Sequence, residues 1–172
     1  MSIWISATTA PHSLHLSSTL QSRHTLLSSL VDMANRMHVE FLSRDVEAWN
    51  AWRKWNPSSR PDLRDANLRH KNLIMAHLNG ADLSGADLSY ANLCRAELRR
   101  VDLRYANLSG AYLSGADLSD ADMRLANLSA ANLSGANLSR ANLNEANLNH
   151  ANLDGANLDD AVLRGVEADN AT

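Results

Sequence analysis

A single cysteine, Cys94, among 172 residues leaves no partner for an intramolecular disulfide, which fits a reducing compartment and a cytoplasmic location. No stretch of about 20 apolar residues is present, so no transmembrane helix is expected. The seven glycines never gather into a phosphate-cradling loop. The seven histidines and the lone cysteine never fall at zinc-ligand spacing. A strong charge of one sign is also missing, the formal net charge being −3. Residues 1–60 hold six basic and four acidic groups, and residues 61–172 hold ten and fifteen. With these signatures absent, no enzyme, cofactor or metal site is expected.

What the chain has instead is a period of five. Leucine occupies every fifth position from Leu63 to Leu163, with Met123 the one substitute, over 21 consecutive units. Two places before it stands alanine in 18 units, departing at Pro61, Lys71 and Val101. Between the two stands Asn or Asp in 17 units, departing at His77, Glu97, Tyr112 and Val162. A period of five matches neither the three- and four-residue spacing of an amphipathic helix nor the two-residue alternation of a strand. The segment is therefore a solenoid. In extended backbone the alanine and leucine point to the same side, and the residue between them points away. Pairs such as Ser84-Gly85, Ser109-Gly110 and Ser119-Asp120 then supply the corners, since glycine accepts positive φ and short polar side chains bond nearby backbone. Extended pieces alternating with corners wind into coils stacked at roughly 4.8 Å.

The Ala-Asn/Asp-Leu-x-x unit, in phase over residues 61–165, resembles the motif of the pentapeptide-repeat family. The resemblance implies an all-β solenoid: a right-handed quadrilateral β-helix with four units per coil, here about five coils and on the order of 25 Å long. Four-unit coils also stack Arg100, Asp120, Arg140 and Asp160 in alternating charge, whereas three-unit coils set Glu145 over Asp160. The same stacking places Asp62, Asp82, Asp102 and Asp122 in one column. Arg64, Arg104 and Arg124, two residues further on, are expected to neutralise that column, leaving no cation or acid/base site. His70 and His150 share a column but lie four coils apart, about 19 Å, too far to share a metal. The eleven asparagines between alanine and leucine are expected to form stacked side-chain ladders.

The first 30 residues hold eight serines, four threonines and three histidines, with Arg23 the one charged residue. Residues 1–25 are expected to be a disordered N-terminal segment for want of apolar surface. This Ser-rich, acid-poor start is also the composition of a transit peptide, so targeting stays open. Residues 26–60 read as an N-terminal α-helical cap and junction. Leu27, Leu30, Val31, Ala34, Met37, Phe41 and Leu42 recur at helical spacing, continued by Val46, Trp49 and Trp52. Ser43 is placed to cap a second helix from Arg44 to about Trp55, and Pro57 and Pro61 end it. The stretch Trp49-Asn50-Ala51-Trp52-Arg53, with Pro61-Asp62-Leu63 after it, resembles the W-N-x-W-R and P-D-L junction of bacterial, often cyanobacterial, members of the family. An uncovered first coil exposes leucines and unpaired backbone groups. Trp49, Trp52 and Trp55 are expected to cover it, the more so because Ile74 and Met75 hold outward positions and Lys71 an inward one. Residues 166–172 read as a C-terminal tail, in which Val166 and Ala168 prolong the pattern before Asp169 and Asn170 break it.

A rigid, non-enzymatic scaffold that binds another protein is the expected function. Its candidate contact surface is the corner where Tyr105 and Leu125 stack outward beside Arg104 and Arg124, extended by Tyr90, Arg95, Arg99 and Arg100. The alternative, implied by the family resemblance, is a DNA mimic that modulates DNA gyrase. Mimicry needs a strongly anionic surface, and ten interleaved Lys and Arg residues make this tract a poor imitation. The mid-rod loops and aromatic C-terminal dimerisation helix of several such mimics are also missing. No direct nucleic-acid binding is expected. Leu148, Leu153, Leu158 and Leu163 fall near the last coil, and a two-fold homodimer joined through that coil is expected, the alternatives being a tail folded over that end or a dimer contact made by the N-terminal helices.

Overall fold

A computed structural model describes residues 35–172. The disorder expected over 1–25 and the helical start expected over 26–34 lie outside the described residues. Residues 35–44 are helical (α1), and Val46–Trp55 form a second helix (α2). The boundary between them differs from the sequence reading: Ser43 lies inside α1, and Asp45 starts α2. Asp45 has extended backbone, and its carboxylate accepts the Ala48 N–H at 2.9 Å. A carboxylate at that place satisfies an orphan helix donor and meets the positive end of the helix dipole.

From residue 61 the backbone repeats every five residues and stacks every twenty. Eighteen parallel bridges, from Asp62 to Asp82 through Asn147 to Glu167, each join residues twenty apart. Four units therefore make one coil, and the solenoid has four faces and four corners. Every central residue from Leu63 to Leu143, Met123 included, is fully buried, and the paired alanines are buried with them. Each such leucine removes enough apolar surface from water to contribute about 2 kcal/mol.

The hydrogen bonds between coils have a direction. The third and fifth residues of a unit donate forward, as Leu63 N–H does to Asp82 O at 2.8 Å and Asp65 N–H to Ser84 O at 3.0 Å. The second residue donates backward, as Asp82 N–H does to Pro61 O at 2.9 Å. A coil thus presents two donors and one acceptor per unit on its forward edge, and two acceptors and one donor on its backward edge.

Side chains of the helices meet the acceptor-rich backward edge of the first coil. Trp49 Nε1 donates to His77 O at 3.0 Å, Asn50 Nδ2 to Met75 O at 2.9 Å, and Arg53 to Asn79 O at 2.7 Å. Asn35 donates to Arg64 O at 3.0 Å, and Asn50 Oδ1 accepts the His77 N–H at 2.8 Å. Trp49, Asn50 and Arg53 are three of the five residues of the W-N-x-W-R stretch. Trp52, half-buried, packs on Trp49 with ring centroids 5.2 Å apart, and Phe41 meets both rings edge-on. Three expectations fail here. Trp55 is 82% exposed, because six residues of helix carry it away from the face that Trp49 and Arg53 bury. Ile74 and Met75 remain 40% and 56% exposed, since α2 engages unit 76–80 and takes from the preceding corner only the Met75 carbonyl. Lys71, expected inward, is exposed at the edge of the first coil.

The corners explain the rest of the repeat. The fifth residue of every unit from 61 to 170 has positive φ, and all seven glycines of the chain stand at that place. The Asn or Asp at the second place has a backbone task. In all seventeen units that carry one, its side-chain oxygen accepts the N–H of the fourth residue, at 2.8–3.4 Å. This Asx turn holds the corner. The expected ladders are a minor feature: Asn107, Asn127 and Asn137 each donate to the side chain one coil back, at 3.1–3.4 Å. Each of these three bonds ends on an oxygen that also holds its own Asx turn.

Three of the five units without Asn or Asp show a compensation. Glu97, Val162 and Glu167 leave the fourth-residue N–H without its own acceptor, and in each case an asparagine one coil back supplies it. Asn79 accepts from Arg99, Asn144 from Arg164, and Asn149 from Asp169, at 2.9, 3.1 and 2.7 Å. Asn144→Ala is expected to cost about 1 kcal/mol, the usual worth of one hydrogen bond. In a Val162→Asn background, where residue 164 regains a local acceptor, the cost should vanish. A double-mutant cycle of thermal melts measures this; equal loss in both backgrounds refutes the compensation.

Residues 166–170, read as a tail, form one more unit. Glu167 bridges Asn147, the corner falls at Asp169 and Asn170, and Ala168 takes the leucine place. Asp169 and Asn170 thus continue the pattern as its turn residues. Toward this end the core opens: Leu148 is 2% exposed, whereas Val162 and Leu163 are 46% and 45% exposed.

Candidate partner-binding surfaces

Each corner is a column of fourth and fifth residues twenty apart. The first corner carries Arg104-Tyr105 and, one coil on, Arg124-Leu125. The second carries Tyr90, the third Arg95, and the fourth Arg99 and Arg100. The eight residues grouped on sequence grounds therefore do not form one surface. Nearness in the chain, read as a patch, becomes separation around the coil, because each unit advances the chain by one corner.

The first-corner subset does converge. Tyr105 and Leu125 are 66% and 44% exposed, and with Arg104, Arg124, Asn144 and Glu145 they surround a depression of about 270 Å³. The arginines beside them are already paired. Arg64, Arg104 and Arg124 each reach back two residues, to Asp62, Asp102 and Asp122, at 2.7 Å. Arg104 also approaches Asp122 at 3.7 Å, and Arg60 lies 3.2 Å from Asp82 and 3.5 Å from Asp102. The aspartate column is thus locally neutralised. The Arg64 hydrogen bond holds the Asp62 carboxyl at about 2, and Arg104 likewise holds Asp102 below the usual carboxylate range. A carboxylate so stabilised in its charged form is a poor proton carrier at neutral pH.

The other corners differ in character. Tyr90 stacks on His70, ring centroids 5.2 Å apart and 15° from parallel, with the Arg69 guanidinium 5.4 Å from its ring. Gly110 makes room for this ring: a Cβ there would stand 2.6 Å from Tyr90 Cε1. Sequence reasoning missed that pairing, which appears only when second-corner residues are aligned twenty apart. On the fourth corner, Arg99 and Arg100 line a depression of about 340 Å³ with Asn79 and Gly80. Further along it Arg140 grips Asp120 through two bonds of 2.7 and 3.0 Å, one rung of the expected charge column. Among the described residues, no His, Cys, Asp or Glu cluster is arranged to hold a metal ion, and no helix is long and apolar enough to cross a membrane.

The family model for pentapeptide repeats matches residues 62–100, 96–135 and 126–165, with eight copies. The chain belongs to the pentapeptide-repeat family. Membership implies the right-handed quadrilateral β-helix, consistent with the twenty-residue register. Among solved structures, this pentapeptide-repeat protein is similar to HetL, a pentapeptide repeat protein involved in heterocyst differentiation regulation from the cyanobacterium Nostoc sp. strain PCC 7120. The two share 37% identity over 63% of this chain and 58% of HetL, with a TM-score of 0.31. It is also similar to alr5209, a pentapeptide repeat protein from Nostoc PCC 7120, at 38% identity over 67% of this chain and 90% of that one, TM-score 0.34. A trypsin-treated form of QnrB1, a plasmid-mediated fluoroquinolone resistance protein, shares 20% identity over 64% of each chain, TM-score 0.31. No protein of curated function matches the chain.

Proposed function

We infer that this pentapeptide-repeat protein is a non-enzymatic scaffold that holds side chains on a fixed lattice for a protein partner, with α1 and α2 closing the first coil. The observation that carries the reading is the first corner. Tyr105 and Leu125 are exposed side by side on backbone held by Asx turns, between arginines whose charge is spent on their own aspartates. Such a surface offers apolar contact without the cost of stripping water from unpaired charge. A photo-crosslinking amino acid at position 105 is expected to trap a discrete protein partner in native cells. The product should be lost in Leu125→Glu and absent when the crosslinker sits at Ala130 on the second corner. A product independent of position, or none, refutes the first corner as the contact.

The closing role of the helices rests on donors of α1 and α2 meeting acceptors of the first coil. The free, half-buried Cys94 suits a reducing compartment such as the cytoplasm. Gyrase modulation by DNA mimicry gains little support, because the aspartate column that would imitate phosphates is paired to arginine. A two-fold homodimer through the last coil draws on the exposure of Val162 and Leu163. Residues 151–172, however, hold five acidic side chains and only Arg164 as a base, so two such coils face each other with like charge. Any such dimer should therefore strengthen as salt rises, and light scattering should find Val162→Asp with Val166→Asp monomeric. A wild type that is monomeric at all salt concentrations refutes it.

A further inference from the structure

Twenty of the twenty-two turns between residues 61 and 170 have the fourth-residue N–H taken by a side-chain oxygen, seventeen locally and three from the coil before. The two exceptions are unit 76–80, which α2 contacts, and unit 111–115, in the middle of the solenoid. In the second, Tyr112 stands where Asn or Asp is usual. The residue one coil back, which elsewhere compensates, is Cys94 and has no oxygen. The Ser114 hydroxyl is turned forward, 3.1 Å from Ser134 O and 3.0 Å from Ser134 Oγ. Among the described residues, the Ser114 N–H is left without an acceptor.

The surroundings of that donor are suited to a carboxylate. Arg95 lies on the same third corner one coil back, against the Ser114-Gly115 turn: a Cβ added at Gly115 would stand 3.6 Å from Arg95 Cγ. Among the described residues, no carboxylate pairs with Arg95. Tyr112 is 50% exposed beside the turn, and Ile74 and Met75, exposed at 40% and 56%, continue the same corner toward the first coil. A missing acceptor, an unpaired guanidinium and an exposed aromatic ring therefore occupy one stretch of surface, with Ile74 and Met75 one coil beyond Arg95.

The geometry points to a docking site on the third corner for a protein segment whose aspartate or glutamate carboxylate bonds the Ser114 N–H and pairs with Arg95, while an apolar neighbour lies on Tyr112. The incoming carboxylate does what the side chain of residue 87 or 117 does within its own unit. An amide would fill the donor but leave Arg95 unpaired. A free anion would meet both polar groups but leave Tyr112 uncovered, so a peptide gains over either one.

The full chain, labelled with nitrogen-15, is titrated with N-acetyl-Asp-Leu-amide and observed by NMR. The Ser114 amide and the Arg95 Nε–H resonances are expected to move together and saturably, with a Kd in the millimolar range suited to so small a ligand. N-acetyl-Asn-Leu-amide and acetate should each move them at least several-fold less. In Tyr112→Asn the new carboxamide takes the Ser114 N–H, so the Ser114 response should be lost while the melting temperature holds or rises. A still Ser114 resonance in the wild type, an equal response in Tyr112→Asn, or an equal response to acetate overturns the site. The site is independent of the first-corner contact: a silent Ser114 beside a positive crosslink at position 105 sinks this inference alone.

Discussion

Leu113→Asp is expected to abolish cooperative melting of the middle coils, and Ala130→Asp to leave it intact. Leu113 is fully buried, as are Leu93 and Leu133 in the coils on either side. The substitution forfeits about 2 kcal/mol of transfer energy. It also places a carboxylate among leucines with no donor in reach, a cost of several kcal/mol at least. Against a typical stability of about 5–15 kcal/mol that is enough to part a solenoid whose coils are held only by their neighbours. Ala130 is exposed and has a φ of +56°, a conformation that aspartate tolerates better than alanine. Thermal melts followed by circular dichroism compare the two, and equal midpoints would mean that the assignment of inward and outward places is wrong.

The second large effect is expected where α2 meets the first coil. Trp49→Ala should cost about 3–5 kcal/mol, the usual range for a buried aromatic truncated to alanine, and Trp55→Ala almost nothing. Trp49 is fully buried and donates to His77 O, while Trp55 is 82% exposed. The loss should be local, appearing as faster amide exchange at Leu63, Leu68, Leu73 and Leu78 before the later coils. A chain starting at residue 61 removes every helix donor from the acceptor-rich edge and should self-associate. Equal effects of the two tryptophan variants, or a monomeric 61–172 fragment with unchanged stability, would remove the closing role of α2.

Much of the solenoid was legible because its rule is local and repeated. One small and one large inward residue every five places pointed to a solenoid, and the family resemblance, with the charge column around Arg140, pointed to twenty residues per coil. The Asx turns were not read: the asparagines were expected to stack as ladders, whereas their side-chain oxygens turn to the N–H two residues on. What else was not legible depended on which residue stands one coil away. Asn79, Asn144 and Asn149 look like ordinary polar corner residues until the N–H groups of Arg99, Arg164 and Asp169 are placed above them. Trp55 was grouped with Trp49 by composition, though the helical turn separates their faces. The contact surface failed in the same manner: Tyr90, Arg95 and Arg100 are neighbours in the chain and occupy three different corners. The W-N-x-W-R stretch was recognisable as a junction, but its hydrogen-bond task required knowing that the edge it meets is rich in acceptors.

The equality of the units makes the core indifferent to how many of them precede a given point, whereas a surface residue's corner is set by that number alone. Removing one whole unit between Tyr105 and Leu125 would leave alanine packed on alanine and leucine on leucine, yet rotate everything downstream by a quarter turn. Tyr105 would then face a different neighbour with no loss of burial. Five-residue insertions and deletions are in this sense a dial for binding surfaces, separate from the substitutions that tune them. The dial is damped only by pairs that must keep their twenty-residue spacing, such as Asn144 with Arg164 and Asp120 with Arg140.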